Sequence, residues 1–361
     1  MTSTRSTIPP LLEPYLRLPP ETSLILLTGT LGCSVSWVVS RFVGRVLQQN
    51  ARQDGFGGGD RLHRGVGGEG ERGGENADRV GNGGAGESGQ GVDVVLVSWM
   101  RDLAFWKSEI RRGSGVDITK LMKKDADADE GNGSSGGGRF TFVDCFTTLS
   151  YLPQDDEDAL LAELETRITA AITQQPQECS PTQPQTKTRR RRKVFLILDS
   201  PSLLSALSLT TASHLSTLLL RLRALPQIHS TLLTCPADLP LLNTATTKFS
   251  AAAGEPRQRQ EVEVESAAFV VQQAGVARWT VGVRELETGA AGDVSGVLRV
   301  GRGGGWYEWD DEGASDGEEG LGGGGGEGRE RGEGEVREME VLYLVRRDGS
   351  ARVFERGVNG L

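Results

Sequence analysis

The stretch Leu24-Ile25-Leu26-Leu27-Thr28-Gly29-Thr30-Leu31-Gly32-Cys33-Ser34-Val35-Ser36-Trp37-Val38-Val39 reads as a buried strand, a glycine-bearing turn and the start of a helix. Leu24 to Leu27 is a continuous apolar run, the pattern of a strand covered on both faces. From Ser34 the period changes. Val35, Val38, Val39, Phe42, Val43 and Val46 recur at helical spacing, with Arg41 and Arg45 on the other side. This is where a phosphate-binding loop would sit. Aligned on Gly29, the pattern G-x-x-x-x-G-K-[ST] asks for Gly at 34, Lys at 35 and Ser or Thr at 36. The chain has Ser34, Val35 and Ser36.

ATP hydrolysis on such a topology needs backbone N–H groups around the phosphates, a lysine on the β- and γ-phosphates, a hydroxyl on Mg²⁺ and an acid at the end of a later strand. Ser36 has the hydroxyl. Asp199, closing Phe195-Leu196-Ile197-Leu198-Asp199, stands where the magnesium-associated acid would be, or else is a polar strand end that caps the next helix. Val35 removes the cation, and Ser34 replaces a glycine that lets backbone approach closely. A hydrogen bond to a charged group contributes about 1.5 to 3 kcal/mol, so its loss costs roughly tenfold to a hundredfold in affinity. The strand ending Val97-Ser98-Trp99 has no carboxylate to orient a water. The degenerate loop (Gly29, Gly32, Ser34, Val35, Ser36, with Asp199) therefore predicts no cofactor and no catalysis, and a part in an assembly instead.

The chain has 361 residues, of which 50 are glycine, and 37% are hydrophobic. Most of the glycine lies in a few tracts, so we expect one α/β domain of about 230 to 260 ordered residues over 1–361, interrupted by disordered insertions. These insertions fall at about 51–91, 123–138, 174–193 and 310–337, where polar, Gly-rich or Gln/Pro/Thr-rich sequence cannot bury enough apolar surface to offset its ordering entropy. The net charge of -9 argues against coating nucleic acid through global charge. Cys33, Cys145, Cys179 and Cys235 form no C-x-x-C pair and read as free thiols in a reducing compartment. With His63, His214 and His229 they show no metal-ligand spacing, so no metal is expected. Leu24 to Val39 is too short and too interrupted by Thr, Gly and Ser for a membrane span of about 20 apolar residues. No secretory signal is evident, with Pro9 and Pro10 preceding any apolar run.

Further strands are expected at Val92–Val97, Phe140–Phe146, Val194–Leu198 and Ile228–Thr234. Helices are expected from Leu103, capped by Asp102 and stopped by Gly113, over 156–172, through Leu203 to Leu222, and over 266–273. The C-terminal part changes grammar: 279–286, 296–300, 341–345 and 351–354 read as strands joined by turns, with Asp348-Gly349 a hairpin signal. Strands alternating with helices, then hairpins, predict a mainly parallel central sheet flanked by helices with an antiparallel edge.

Three other features stand out. The run Arg189, Arg190, Arg191, Arg192 and Lys193 is a solvated linker edge, a nuclear import signal or a phosphate-contacting patch for nucleic acid. Trp99, Phe105 and Trp106 either fill a core layer or anchor a partner. Gly301-Arg302-Gly303-Gly304-Gly305-Trp306-Tyr307 faintly echoes RNA-binding Arg/Gly segments but reads better as a flexible loop. A serine hydrolase fails on motif, because Ser98 has no G-x-S-x-G context.

Several segments, in this order, resemble the fungal Elongator complex protein 6 family. They are Val95 to Trp106, Phe195-Leu196-Ile197-Leu198-Asp199-Ser200-Pro201, Ala237-Asp238-Leu239-Pro240-Leu241-Leu242, Leu286 to Val300, and Val341-Leu342-Tyr343-Leu344-Val345 through Val353 to Gly357. The resemblance implies a RecA-like subunit lacking Walker motifs. It implies pairing with Elongator complex proteins 4 and 5 in a hetero-hexameric ring that binds tRNA and joins the catalytic Elongator subcomplex, supporting wobble-uridine (U34) modification. The compartments so implied are cytoplasm and nucleus, with no membrane. No catalytic residue transfers to this chain. The contrasting expectation is an atypical P-loop ATPase or kinase that uses Ser36 and Asp199 and takes its cation from a neighbour.

Overall fold

The computed structural model describes residues 8–55, 91–123, 138–151, 153, 156–173, 192–238, 242, 261–289, 291–306 and 337–355. Its described strands form one nine-stranded sheet. In chain order these are β1 (Leu24–Gly29), β2 (Val92–Ser98), β3 (Phe140–Asp144), β4 (Lys193–Asp199), β5 (Ile228–Pro236), β6 (Trp279–Arg284), β7 (Gly296–Arg302), β8 (Met339–Val345) and β9 (Ala351–Phe354). The spatial order is β3-β2-β4-β5-β1-β6-β7-β8-β9. The first six run parallel and the last three pair antiparallel. This is the mainly parallel sheet with an antiparallel edge that the alternation of patterns predicts.

The helices are α1 (Ser36–Gly55), α2 (Leu103–Ser114), α3 (Ile118–Lys123), α4 (Glu157–Thr173), α5 (Leu203–Ala206), α6 (Ala212–Arg223) and α7 (Glu261–Val276). Parallel strands are covered on both faces, and β1 shows why its sequence is continuously apolar. Ile25 and Leu27 pack in one layer with α1, α2 and α3, whereas Leu24 and Leu26 pack in the other with α4, α6 and α7. Along β6 the pattern becomes an alternation of buried Trp279, Val281 and Val283 with half-buried Thr280, Gly282 and Arg284, as expected where one face of the sheet is uncovered.

Several boundaries differ from the sequence reading. α1 continues to Gly55, into the expected insertion, and Asn50 near its end closes a two-way clamp on β2: its Nδ2 donates to Val92 O at 2.7 Å and Val92 N donates to its Oδ1 at 3.0 Å. α2 is capped by Asp102, whose carboxylate accepts from Phe105 N at 2.8 Å, but it ends in the left-handed Gly115 rather than at Gly113. Gly113 instead lets α2 lie against Ser40 and Arg41 of α1; a Cβ there would sit 2.6 Å from Arg41 Nη1. The Leu203–Leu222 helix is two helices, broken where Ser208 turns to φ 57° and Thr211 caps α6 by accepting from His214 N. Lys193 belongs to β4, not to a linker. The remaining expected insertions lie almost wholly outside the described residues.

Trp99 and Trp106 are 1% and 0% exposed, in opposite core layers. The partner-anchor reading is corrected for both: each indole is needed to fill its layer. Phe105 is half-buried, edge-on to Trp106 and beneath the Arg101 guanidinium at 5.2 Å. Truncating Trp106 to Ala is expected to cost about 3–5 kcal/mol in urea unfolding, and Phe105→Ala clearly less. Wild-type stability in Trp106→Ala would return that ring to the surface.

Candidate functional site

The turn after β1 has the place of a phosphate loop, but three of its backbone donors are spent within the chain. Thr30 N donates to Val283 O at 3.1 Å, Leu31 N to Asp238 Oδ1 at 2.6 Å and Cys33 N to Thr30 O at 2.9 Å. Gly32 adopts φ 86°, which glycine tolerates, and the carboxylate of Glu285 lies directly against it. An internal anion thus stands beside the loop. The hydroxyls of Ser34 and Ser36 bond each other at 2.7 Å, and Ser36 is buried.

Val35 completes the closure. It is 8% exposed and its side chain folds back on Gly29, where a Cβ would meet Val35 Cγ1 and Cys33 O at 2.8 Å each. A valine here joins the core layer with Trp37 and Val38, so the position that would aim a lysine at phosphates is filled with apolar packing.

Asp199, Ser98 and Thr234 come together because their strands are in register. Ser98 pairs with Asp199 across β2 and β4, and Asp199 with Thr234 across β4 and β5. The carboxylate is fully buried and holds donors on both oxygens. Ser98 Oγ donates to Oδ2 at 2.8 Å, Thr234 Oγ1 to Oδ1 at 3.0 Å, and Arg101 Nη1 to Oδ1 and Oδ2 at 3.0 and 3.3 Å. Buried carboxylates need such partners. Ser200, at φ 60°, donates its N–H to Thr234 Oγ1 at 2.9 Å and its hydroxyl to Asp199 Oδ1 at 3.4 Å. Asp199 caps no helix; the N-cap of α5 is Ser202, which makes no side-chain cap bond. Burial and the Asp199 charge push the neighbouring Cys235 thiol far above its ordinary value.

The sequence reading brought out Ser36 and Asp199 but missed Ser98, Arg101 and Thr234 as partners of that acid. Their signal was faint: a serine closing one apolar strand, a threonine within another and an arginine in Met100-Arg101-Asp102. Of the basic run, Lys193 reaches Glu21 at 3.1 Å and Pro226 O at 3.0 Å, and Arg192 lies 3.7 Å from Asp93. Both serve intramolecular pairs, while Arg189, Arg190 and Arg191 lie outside the described residues. Cys33, Cys145 and Cys235 are free and buried, and the described residues contain no group of His, Cys, Asp and Glu able to hold a metal ion.

No protein-family model matches the chain, and no curated protein matches its sequence. Among solved structures, a KaiC-like protein from the hyperthermophilic archaeon Pyrococcus horikoshii OT3 is similar over 97% of this chain and 98% of its own, at 14% identity and a TM-score of 0.41. That likeness is too distant to bear on residues or chemistry. The fold is that of an α/β protein with a mainly parallel sheet and a filled loop at the phosphate position.

A lysine placed at Val35 would enter packed apolar surroundings. Val35→Lys is therefore expected to lower unfolding free energy by about 2 kcal/mol or more. An unchanged denaturation midpoint would mean that the position opens to solvent as in a working phosphate loop.

Proposed function

We propose that this chain is a non-catalytic, RecA-like subunit of the Elongator complex, belonging with the Elongator complex protein 6 family. In this reading it joins Elongator complex proteins 4 and 5 in a hetero-hexameric ring that binds tRNA and supports wobble-uridine modification by the catalytic subcomplex, in cytoplasm and nucleus. The observation that carries the non-catalytic part is the pairing of filled Val35 with the internally saturated Asp199. A Mg²⁺ ion would have to displace Arg101, Ser98 or Thr234 from that carboxylate, and a phosphate would meet Val35 in place of a cation. The segments quoted for the family supply the rest.

Association is supported by four of the nine exposed large apolar side chains among the described residues, the other five lying on or beside helices. Leu31 follows β1, Met100 follows β2, and Phe146 and Tyr151 follow β3, all at the carboxyl end of the sheet. Leu31 and Tyr151 are each 84% exposed, and the hydrogen bond from Leu31 N to Asp238 holds the backbone that presents the first. Large side chains offered in this way suit burial against a partner. No helix among the described residues is long and apolar enough to cross a membrane.

Affinity capture of the full chain from its native source, followed by native mass spectrometry, tests the reading. The expected result is a particle of two trios containing two RecA-like partners. Leu31→Asp combined with Met100→Asp is expected to weaken that association about 30-fold or more, the scale of an interface hot spot, while leaving the fold intact. Recovery as a monomer without such partners would overturn this reading, and ATP binding abolished by Asp199→Ala would favour the atypical ATPase.

A further inference from the structure

A cleft of about 740 Å³ opens at the amino ends of β1, β5 and β6, at the opposite end of the sheet from the filled loop. Its apolar floor includes Ile25, Val281 and Val300. Tyr15, Trp279 and Trp306 contribute aromatic rings, and Arg17 and Arg278 contribute cations. No carboxylate is among its described lining residues. His229 also lines it; burial pushes its pKa down, opposed by nearby Glu21 and helped by Lys193.

The Arg/Gly-rich run noted in the sequence builds this cleft, and its described part, through Trp306, is not a loose loop. Gly303 N donates to Arg278 O at 3.0 Å, Gly304 N to Ala274 O at 3.0 Å and Gly305 N to Ala277 O at 2.9 Å. The three glycines lie so close to the end of α7 that a Cβ on any of them would collide with backbone at 275–277. Only glycine permits that approach. It sets Trp306 against Trp279, ring centroids 4.4 Å apart, with Arg278 and Arg302 guanidinium carbons 4.4 and 4.9 Å from the Trp306 centroid. The result is an aromatic ledge backed by cations. Trp306 Nε1 and Arg278 Nε have no hydrogen-bond acceptor among the described residues.

We propose that this cleft binds a nucleotide unit: a flat heteroaromatic base against the Tyr15, Trp279 and Trp306 rings, with its phosphate drawn to Arg17 and Arg278. Aromatic rings beside guanidinium groups match the two halves of such a ligand, with the acids Glu21, near His229, and Glu338, bonded to Arg302 N, outside the lining. The inference does not depend on the Elongator reading, because an isolated chain would bind in the same way. Its chemistry is shared by a free nucleotide and by an unpaired position in a strand.

Fluorescence anisotropy of the purified full chain with a short fluorescein-labelled single-stranded RNA tests it, with uridine monophosphate and the same RNA as a duplex for competitors. Saturable binding is expected, weakened about 5- to 100-fold by Trp306→Ala. Trp306→Phe, which keeps a ring, is expected to retain most of the affinity and so separates lost stacking from lost folding. Arg17→Ala with Arg278→Ala is expected to flatten the dependence of log affinity on log salt by roughly 1.4. Ser36→Ala, at the other end of the sheet, should change nothing. Competition by the free nucleotide at matched concentration assigns the site to a soluble ligand; competition by the strand alone assigns it to unpaired RNA. Equal competition by the duplex, no binding of strand or nucleotide, or binding indifferent to Trp306→Ala and to the arginine pair would overturn the proposal.

Discussion

The buried Asp199 carboxylate is the constraint on which the carboxyl end of the sheet depends. A charge with no exposed surface persists only when neighbours satisfy it. Here a serine of β2, a threonine of β5 and an arginine just beyond β2 do so together. The same bonds tie the ends of three adjacent strands and direct the chain after each. Trp99 N donates to Asp199 O, and Cys145 N to Ser98 O, so the turns after β2 and β3 leave the sheet side by side. Met100 and Phe146, one residue further along each turn, remain exposed.

The loop after β1 follows the same logic. Its amides donate to Val283, Asp238 and its own Thr30, and its interior is filled by Val35. An anion would find three of the loop's amides already engaged and the Glu285 carboxylate beside Gly32. The antiparallel edge closes over this end as well. Arg41, 1% exposed, donates from Nη2 to Gly349 O at 2.7 Å, seating the turn between β8 and β9 against α1. Burial lowers its pKa to about 10, opposed by the field of Glu109, so it stays cationic at neutral pH.

Much of the fold was legible because the responsible signals are local. The β1 run, the change of period at Ser34, the Asp102 cap and the Asp348-Gly349 turn each act over a few residues. What escaped the sequence depends on contacts between distant segments. Gly113 looked like a helix stop, but it is small for the sake of α1 packing, and the stop is Gly115. The leucine period runs unbroken from 203 to 222 because α5 and α6 both face the core, which hides the break at Ser208. Trp99 and Trp106 sit close in sequence yet on opposite faces of the sheet. Of the candidate site, Val35 and Asp199 were readable by position. The saturation of Asp199 was not, since Ser98, Arg101 and Thr234 reach it only once β2, β4 and β5 are aligned. The Arg/Gly run misled for a related reason: its glycines permit contact with α7, not looseness.

The most direct measurement is a double-mutant cycle between Arg101 and Asp199, with Arg101→Met, Asp199→Asn and both together, read by urea unfolding. If the acid is held as a structural tie, the two changes should couple by about 1 to 3 kcal/mol. Additivity within about 0.3 kcal/mol would show that Asp199 is independent of Arg101 and open to another ligand.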